Sequence, residues 1–401
     1  MRTVLASTPS EALTTSERVP LSVPTLRGRE WAYVKECLDT GWVSSAGPFV
    51  ERFEREIATY TGSAHAVAVV NGTAGLHVAL RVVGVEPEDD VLVPALTFIA
   101  PVNAVRYCQA HPVFLDADAR TWQMDVDHLA RFLAEACAVR DGACYNRRSG
   151  RRIRAIMPVH LLGLACDMDR IMGLARSHHL RIVEDAAEAM GVRYRGRHVG
   201  TFSDVGVLSF NGNKIITAGG GGMLLTNGAA LARCARYLTT QAKDDPVEYI
   251  HREIGYNYRL TNLQAAVGLA QLEQLDEFIA KKRAIADAYA AALGGDPEFT
   301  LMPSPPGVEP TYWLYTVLLK QGTTVARRQA IIRELDRRGF EARPLWHPIH
   351  RLPPYQDSAA PDLPRAMDLY ARAISLPSSV GLELGEAQRC AKALQQAARA
   401  H

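Results

Sequence analysis

The chain has 401 residues, 48% of them hydrophobic and 22% charged, with a formal net charge of +2. This length exceeds one ordinary hydrophobic core, so it predicts two domains in a globular protein of ordinary composition. The balanced charge gives no electrostatic case for binding nucleic acid or a membrane surface, and no apolar run approaches the ~20 residues of a membrane-spanning helix.

The first twenty residues are rich in Ser and Thr, and we predict that they are disordered and not a signal peptide. The seven cysteines include no pair with C-x-x-C spacing, and the sequence has no H-E-x-x-H motif. These patterns argue against a disulfide framework and against a metal site. A reducing, cytoplasmic setting is the expectation.

Short apolar runs then alternate with segments of helical periodicity. We predict strands at 65–70, 91–93, 112–115, 153–159, 180–183, 206–209 and 223–226. We predict helices at 73–82, 100–108 and 168–178, the first two capped by Thr73 and Thr97. This alternation is typical of an α/β fold with a mostly parallel sheet covered on both faces. Ligand groups should gather at the carboxyl ends of the strands, where four polar residues fall: Asn71, His160, Asp185 and Ser209.

The pattern changes after residue 264. We predict one long helix at 265–292, a proline-rich linker at 303–310, a strand at 312–319, and helices at 327–338 and 385–400. The prediction is therefore a large domain of residues 21–264 and a smaller C-terminal α+β domain of residues 265–401. The arginine-rich stretch 137–154 is interpreted as a solvated surface loop.

Lys214 is the most informative residue of the chain. It ends the run Ser-Phe-Asn-Gly-Asn-Lys that begins at Ser209, and four glycines follow at 219–222. It is one of only seven lysines among 45 basic residues, and the other six lie in polar or amphipathic stretches. An amine forms a Schiff base with a carbonyl, and a guanidinium does not. Asp185, at the end of a strand, is an acid that can pair with a pyridinium nitrogen, so the two residues together point to pyridoxal phosphate chemistry.

A phosphate and an aromatic ring also have candidate contacts. The turn Asn71-Gly72-Thr73-Ala74 between a strand and a helix is suited to an anion, although plain helix capping gives the same pattern. Ser209 offers a hydroxyl to the same anion. Phe98, which is equally typical of a core position, can stack on the ring. No P-loop, G-x-G-x-x-G or G-x-S-x-G motif is present, so nucleotide-binding and serine-hydrolase alternatives have no motif.

Taken in order, these segments resemble the DegT/DnrJ/EryC1/StrS sugar aminotransferases, which have the aspartate-aminotransferase fold (fold type I). The resemblance runs from residue 21 to about 377 and includes Gly-Trp-Val-Ser-Ser at 41–45, Glu-Asp-Ala-Ala at 184–187 and Gly-Tyr-Asn-Tyr-Arg at 255–259. It implies amino transfer from L-glutamate by pyridoxal 5'-phosphate in a homodimer with shared active sites. The sequences of residues 41–45 and 209–214 are most similar to those of the branch that aminates C4 of UDP-linked 4-keto-6-deoxy-N-acetyl sugars in surface-glycan biosynthesis.

The resemblance assigns roles residue by residue. Lys214 matches the Schiff-base lysine and Asp185 matches the acid on the pyridine nitrogen. The other implied cofactor contacts are Gly72, Thr73, Ala74, Phe98, Glu188, Ser209 and, from the second subunit, Asn257. The implied substrate contacts are Trp42, Arg259, His347 and His350. Glu188 departs from the family pattern, which commonly has Gln at this position. A carboxylate there would repel the phenolic oxygen of the cofactor unless one of the two groups is protonated, so the role of Glu188 stays open.

Other functions remain open at this stage. An aminotransferase acting on a GDP- or dTDP-linked keto-sugar, as in perosamine formation, is the alternative within the family. A catalytically silent regulatory protein of the same fold would not be expected to retain Lys214, Asp185 and Ser209 together. A lyase or desulfurase of this fold usually has a reactive cysteine in a glycine-rich loop, and no cysteine here lies in one. A metal site at His160 and Asp185 lacks further ligands.

Overall fold

The computed structural model describes residues 18–245, 247–358 and 362–401. The helices are α1 (Glu30–Thr40), α2 (Pro48–Thr61), α3 (Gly72–Val82), α4 (Ile99–Tyr107), α5 (Val126–Ala136), α6 (Met168–Ser177), α7 (Ala229–Thr239), α8 (Asn262–Leu272), α9 (Leu275–Leu293), α10 (Val325–Arg337), α11 (Pro364–Arg372) and α12 (Leu384–Ala400). The first nine strands are β1 (His65–Val69), β2 (Asp90–Pro94), β3 (His111–Leu115), β4 (Cys137–Arg140), β5 (Ala143–Asn146), β6 (Arg152–Ile156), β7 (Arg181–Asp185), β8 (Arg193–Tyr194) and β9 (Arg197–His198). The others are β10 (Val205–Ser209), β11 (Gly222–Thr226), β12 (Lys243–Asp245), β13 (Ile250–His251), β14 (Phe299–Thr300), β15 (Val308–Glu309), β16 (Tyr315–Leu319), β17 (Arg343–Pro344) and β18 (Ala373–Leu376).

A central sheet organises the larger part of the chain. Its strand order is β1-β11-β10-β7-β6-β2-β3. Along this order the pairs from β10 to β3 are parallel, and β11 is antiparallel to both of its neighbours. In the register of β7 and β10, Asp185 pairs with Val207, two residues before Ser209. The carboxyl ends of these two strands therefore place Asp185 and Ser209 at the same edge, as predicted for a mostly parallel α/β sheet.

Both faces of this sheet are buried, as the near-continuous apolar strands require. Alternate residues of β2 face opposite sides, so Val91 and Val93 lie in one hydrophobic cluster and Leu92 lies in the other. Helices α3, α4 and α7 contribute to the first cluster, and helices α2, α5, α6 and α8 contribute to the second. The fold is the predicted α/β architecture of fold type I.

A smaller sheet forms in the last third of the chain, in the order β14-β16-β18-β17. Helix α12 packs against both α9 and α10. The short sheet β15-β8-β9 joins the two parts of the chain, because Val308 of β15 pairs with Tyr194 of β8. The domain division predicted between residues 264 and 265 falls inside α8, which packs against α1 and α2.

Several local predictions were wrong. Residues 137–154 are not a plain loop, because β4 and β5 form a hairpin whose second strand pairs with β6. The long helix predicted at 265–292 is interrupted between α8 and α9. Asn71, and not Thr73, caps α3, since its side chain accepts the Ala74 N–H. Thr97 caps no helix; the N-cap residue of α4 is Phe98.

The predicted disordered N-terminus lies mostly outside the described residues. Residues 18–20 are described, and Val19 is buried and bonded on both sides of its backbone, to Gly339 O and from Glu341 N. Among the helices of the described residues, none combines the length and the hydropathy that a bilayer crossing requires. The same described part of the chain contains no group of three or more His, Cys, Asp or Glu side chains arranged for a metal ion.

Candidate active site

A cavity of about 330 Å³ lies at the carboxyl ends of β7 and β10. Its lining includes the start of α3, the loop that follows β10, and two tryptophans from the C-terminal third of the chain. Among the residues predicted from the sequence, it is lined by Gly72, Thr73, Phe98, Asp185, Glu188, Ser209 and Lys214. Side chains separated by more than 140 residues in sequence therefore meet at one site.

Lys214 lies in the loop between β10 and β11, where its N–H closes a turn on Asn211 O. Its Nζ is 3.9 Å from Glu188 Oε1 and 3.9 Å from the centroid of the Trp313 ring. Burial lowers the pKa of this amine, and the nearby carboxylates of Glu188 and Asp185 oppose that effect. A lysine with a lowered pKa is the form of amine that reacts as a nucleophile near neutrality.

Asp185 is the last residue of β7 and is 3% exposed. Burial raises the pKa of its carboxyl, while the Ala187 N–H, at 3.0 Å from one carboxylate oxygen, and Lys214 lower it. The ionised form of a buried acid of this kind is stabilised by a cationic partner. A protonated ring nitrogen is such a partner, so the placement fits the predicted role.

Glu184 precedes Asp185 and faces away from the cavity. Its carboxylate accepts the N–H groups of Gly200, Phe202 and Ser203, and lies 3.0 Å from His160 Nε2. These bonds satisfy a fully buried carboxylate. His160, considered above as a metal ligand, is therefore held by Glu184 and lies outside the lining of the cavity.

Glu188 is also buried in the cavity wall. Burial raises the pKa of its carboxyl to about 7, against the lowering effects of Lys214 and of the Leu162 N–H. That N–H donates to Glu188 Oε2 at 2.9 Å. A carboxyl with this pKa is partly protonated near neutrality, which relieves the repulsion expected between a carboxylate and a phenolic oxygen.

The start of α3 forms the end of the cavity that suits an anion. The Ala74 N–H donates to Asn71 Oδ1 at 2.8 Å, so the side chain that caps the helix also fixes its first turn. A Cβ added to Gly72 would lie 3.0 Å from Ser209 Cβ and 3.3 Å from its Oγ. Only glycine therefore lets the helix start approach the Ser209 hydroxyl this closely. N–H groups at a helix start together with a hydroxyl are the donors that a phosphate requires.

The residues present fit pyridoxal 5'-phosphate. Phosphate donors, a buried acid and a buried amine line one cavity, and Phe98 stands at its wall with half of its surface exposed. The Thr97 hydroxyl, beside Phe98, is buried and has no hydrogen-bond partner among the residues that the structure describes. An orphaned hydroxyl in the wall of a cavity is consistent with a bound polar group.

Six of the predicted contacts lie outside the lining of this cavity. Ala74 contributes its N–H to the cap of α3, and Trp42 is half exposed. The Arg259 guanidinium bonds to Glu54 Oε1 at 2.5 Å and to Ala68 O at 3.1 Å, which directs it away from the cavity of its own chain. The remaining three are Asn257 and His347, which are exposed, and His350, which is buried near Phe114.

Sequence reasoning missed several lining residues, among them Val159 and Trp313. Val159 follows β6 at the same sheet edge as Asp185, and the strand pattern contained that signal. Trp313 is 99 residues from Lys214 in sequence, and only the packing of the C-terminal third on the large sheet brings them together. Trp346, which directly precedes the predicted substrate contact His347, also lines the cavity.

The chain is similar to known proteins along most of its length. Residues 24–395 match the model of the DegT/DnrJ/EryC1/StrS aminotransferase family. The chain is 42% identical over 383 residues to GDP-perosamine synthase of Caulobacter vibrioides, covering 94% of this chain and 98% of that one. It is 40% identical over 360 residues to GDP-perosamine synthase of Escherichia coli O157:H7, covering 90% and 93%.

A solved structure shows the same fold. DesV of S. venezuelae, determined in complex with a ketimine intermediate, superposes with a TM-score of 0.85 at 34% sequence identity. The match covers 96% of this chain and 99% of that one.

Proposed function

Because the chain belongs to the DegT/DnrJ/EryC1/StrS aminotransferase family, we propose that it transfers an amino group from L-glutamate to C4 of a GDP-linked 4-keto-6-deoxy sugar. The family establishes a pyridoxal phosphate-dependent sugar aminotransferase. The donor, the sugar and its nucleotide are parts of the proposal. The observation that carries amino transfer is the placement of Lys214 Nζ beside Glu188, in one cavity with Asp185 and the start of α3.

Pyridoxal phosphate, when bound, supplies a carbonyl that exchanges amino groups and a ring that withdraws electrons. The start of α3 and the Ser209 hydroxyl would hold its phosphate. Asp185 would keep a proton on its ring nitrogen, because a buried carboxylate is stabilised by an adjacent positive charge.

Lys214 is the proton carrier of the site. Its amine has a lowered pKa, which increases the fraction of neutral amine that can accept the proton from Cα of glutamate and later return a proton to the sugar at C4. Trp313 and Trp346 line the cavity on the side of the C-terminal third and exclude water from this transfer.

The choice of GDP as the nucleotide is supported by the relatives. The expectation of a UDP-linked N-acetyl sugar rested on the sequences of two short segments, residues 41–45 and 209–214. The comparisons do not support that branch, because the two GDP-perosamine synthases reported above share 42% and 40% identity over nearly the whole chain. Short motifs around the cofactor are common to the family, whereas identity over the whole chain also includes the substrate-binding surface. The GDP-linked alternative is therefore preferred.

The test is a substrate competition with the purified protein. With glutamate present, GDP-, UDP- and dTDP-linked 4-keto-6-deoxy sugars are compared by kcat/KM, and Lys214→Ala serves as the inactive control. We expect the GDP sugar to be preferred by tenfold or more, about 1.4 kcal/mol of transition-state binding. A comparable preference for the UDP N-acetyl sugar would overturn the nucleotide assignment and leave amino transfer standing. No transfer to any of the sugars would overturn the function itself.

We also propose that two copies of the chain share their active sites. Asn257, the predicted phosphate contact, is exposed and lies outside the cavity of its own chain. Its backbone pairs with Thr240, which fixes the loop on the surface. A loop held at the surface in this way is available to the cavity of a second subunit.

A further inference from the structure

Lys282 is a buried amine that forms no ion pair with an acidic side chain of the described part of the chain. It lies on α9, is 2% exposed, and donates from Nζ to Trp313 O at 2.6 Å and to Ser378 O. Burial alone lowers its pKa to about 7, and no carboxylate contributes to that shift. Lys282 lies in an amphipathic stretch of the sequence, as expected, but its side chain is on the buried face of the helix. An amine is expensive to bury, and a methionine would fill the same space without that penalty.

The two carbonyls belong to segments that meet beside the active site. Ser378 follows β18, and Trp313 comes just before β16. Backbone hydrogen bonds between β16 and β18 hold these two strands in place. Trp313 lies outside them, in the segment that leads into β16. The amine of Lys282 therefore ties a loop residue to the rigid helix α9.

Trp313 is in turn held against the cofactor lysine. Its indole Nε1 donates to Asn213 O at 2.7 Å, and its ring lies over Lys214 Nζ. The preceding residue, Tyr312, has a φ of 48°, a left-handed conformation that is unfavourable for a bulky side chain. A Cβ added to Gly163 would lie 2.5 Å from Trp313 N, so the turn is also packed from the opposite side. A turn in this conformation persists only where surrounding contacts fix it.

We propose that Lys282 is a positioning residue that holds the Trp313 indole over Lys214 Nζ, so that the ring face stabilises positive charge on that nitrogen. The proposal depends on the cofactor lysine and not on the identity of the sugar. The groups that face Lys214 are the carboxyls of Glu188 and Asp185 and the Trp313 ring. Changing only Lys282 or Trp313 leaves both carboxyls in place. A change in the pKa of the Lys214 nitrogen in those variants is therefore due to the Trp313 ring and not to the carboxyls.

The experiment is a double-mutant cycle on the holoenzyme, with Lys282→Met, Trp313→Leu and the combined variant. The measured quantity is the midpoint of the pH titration of the visible absorbance of the cofactor bound to Lys214. Loss of the indole face should lower this midpoint by a few tenths of a unit to about one unit in each single variant. The combined variant should show no further shift, because both changes remove the same contact.

The matched control is Lys281→Met, a change of the neighbouring and more exposed lysine, which should leave the midpoint unchanged. A role of Lys282 in stability alone would lower the melting temperature without moving the midpoint. An unchanged midpoint in folded Lys282→Met, or additive shifts in the cycle, would overturn the proposal. If Lys282→Met does not fold, Lys282→Arg replaces it. A bulkier guanidinium cannot keep both carbonyl contacts without displacing Trp313, so an unchanged midpoint there would also overturn the proposal.

Discussion

Lys214 Nζ and Glu188 Oε1 lie 3.9 Å apart in the wall of the same cavity. Both side chains are buried, and burial shifts their pKa values toward each other, downward for the amine and upward for the carboxyl. Because the charge on each group affects the protonation of the other, the two groups titrate as a coupled pair. A glutamine at this position would remove the carboxylate that opposes the lowering of the Lys214 pKa.

Glu188→Gln should change how stability depends on pH. The carboxyl pKa rises to about 7 on folding, so the folded state binds more protons than the unfolded state between about pH 4.5 and pH 7. The contribution of this group to the free energy of unfolding therefore falls as pH rises through that window. We expect the melting temperature of the cofactor-free protein, relative to that of Glu188→Gln, to fall between pH 5 and pH 7.5 and to level off above.

Glu334→Gln is the control for this measurement. A side-chain hydrogen bond from Arg338 is the main cause of the lowered pKa of the Glu334 carboxyl, so this group is ionised in both states above pH 5. The difference in melting temperature between Glu334→Gln and the unmodified protein should stay constant across the same pH range. A flat difference for Glu188→Gln would show that its carboxyl is ionised throughout.

Reduction of the holoenzyme with borohydride should place the pyridoxyl group on Lys214. The alternative site of modification is Lys282, whose amine has a pKa of about 7 but lies outside the cavity. Peptide mapping separates the two, because they lie 68 residues apart in the sequence. Modification of Lys282 in place of Lys214 would contradict the assignment of the cavity.

Most of the active site was predictable because its residues follow strands. The parallel register puts Asp185 and Ser209 at one edge, and strand-end position alone indicated this. The cap of α3 was misassigned because Asn71 and Thr73 are both suitable capping residues, and only the backbone conformation selects between them. Asn71 is extended, with φ of −168°, as an N-cap residue must be.

Contacts made across the C-terminal third were not predictable. Lys282 lies on a helix with several charged neighbours, so periodicity indicated an amphipathic surface and gave no sign of a buried amine. Its two acceptors are backbone carbonyls, which leave no signature in a sequence. The hairpin at residues 137–146 was missed for a similar reason. Its arginines suggested a solvated loop, while the pairing of β5 with β6 is a property of the assembled sheet edge.

Asp185→Asn should abolish amino transfer without loss of the cofactor. The amide keeps the size of the side chain but cannot carry the negative charge that holds a proton on the ring nitrogen. We expect the half-reaction with glutamate, followed by stopped-flow absorbance, to slow by several orders of magnitude. Equilibrium dialysis should show that the cofactor still binds. Near-normal half-reaction rates in this variant would mean that the acid is structural.

Ser209→Ala should weaken cofactor binding and leave the fold intact. The hydroxyl lies against Gly72 at the start of α3, and a hydrogen bond to a charged group contributes about 1.5–3 kcal/mol. This corresponds to a loss of affinity of about tenfold to a hundredfold, measured by fluorescence titration of the cofactor-free protein. Ser177→Ala, on the exposed side of α6, is the matched control and should bind normally. Equal affinities would remove Ser209 from the phosphate site.

Hybrid dimers test whether the two subunits share their active sites. Lys214→Ala removes the amine from its own cavity, and Asn257→Ala removes the predicted contact to the partner's phosphate. Each homodimer should have little activity. Unfolding and refolding the two variants together should restore up to about a quarter of the normal activity, because half of the subunits fall in hybrids and one of the two sites in each hybrid is intact. Each variant refolded alone is the control, and sedimentation should show the dimer. A fully active monomer, or a mixture no more active than its parts, would contradict the shared site.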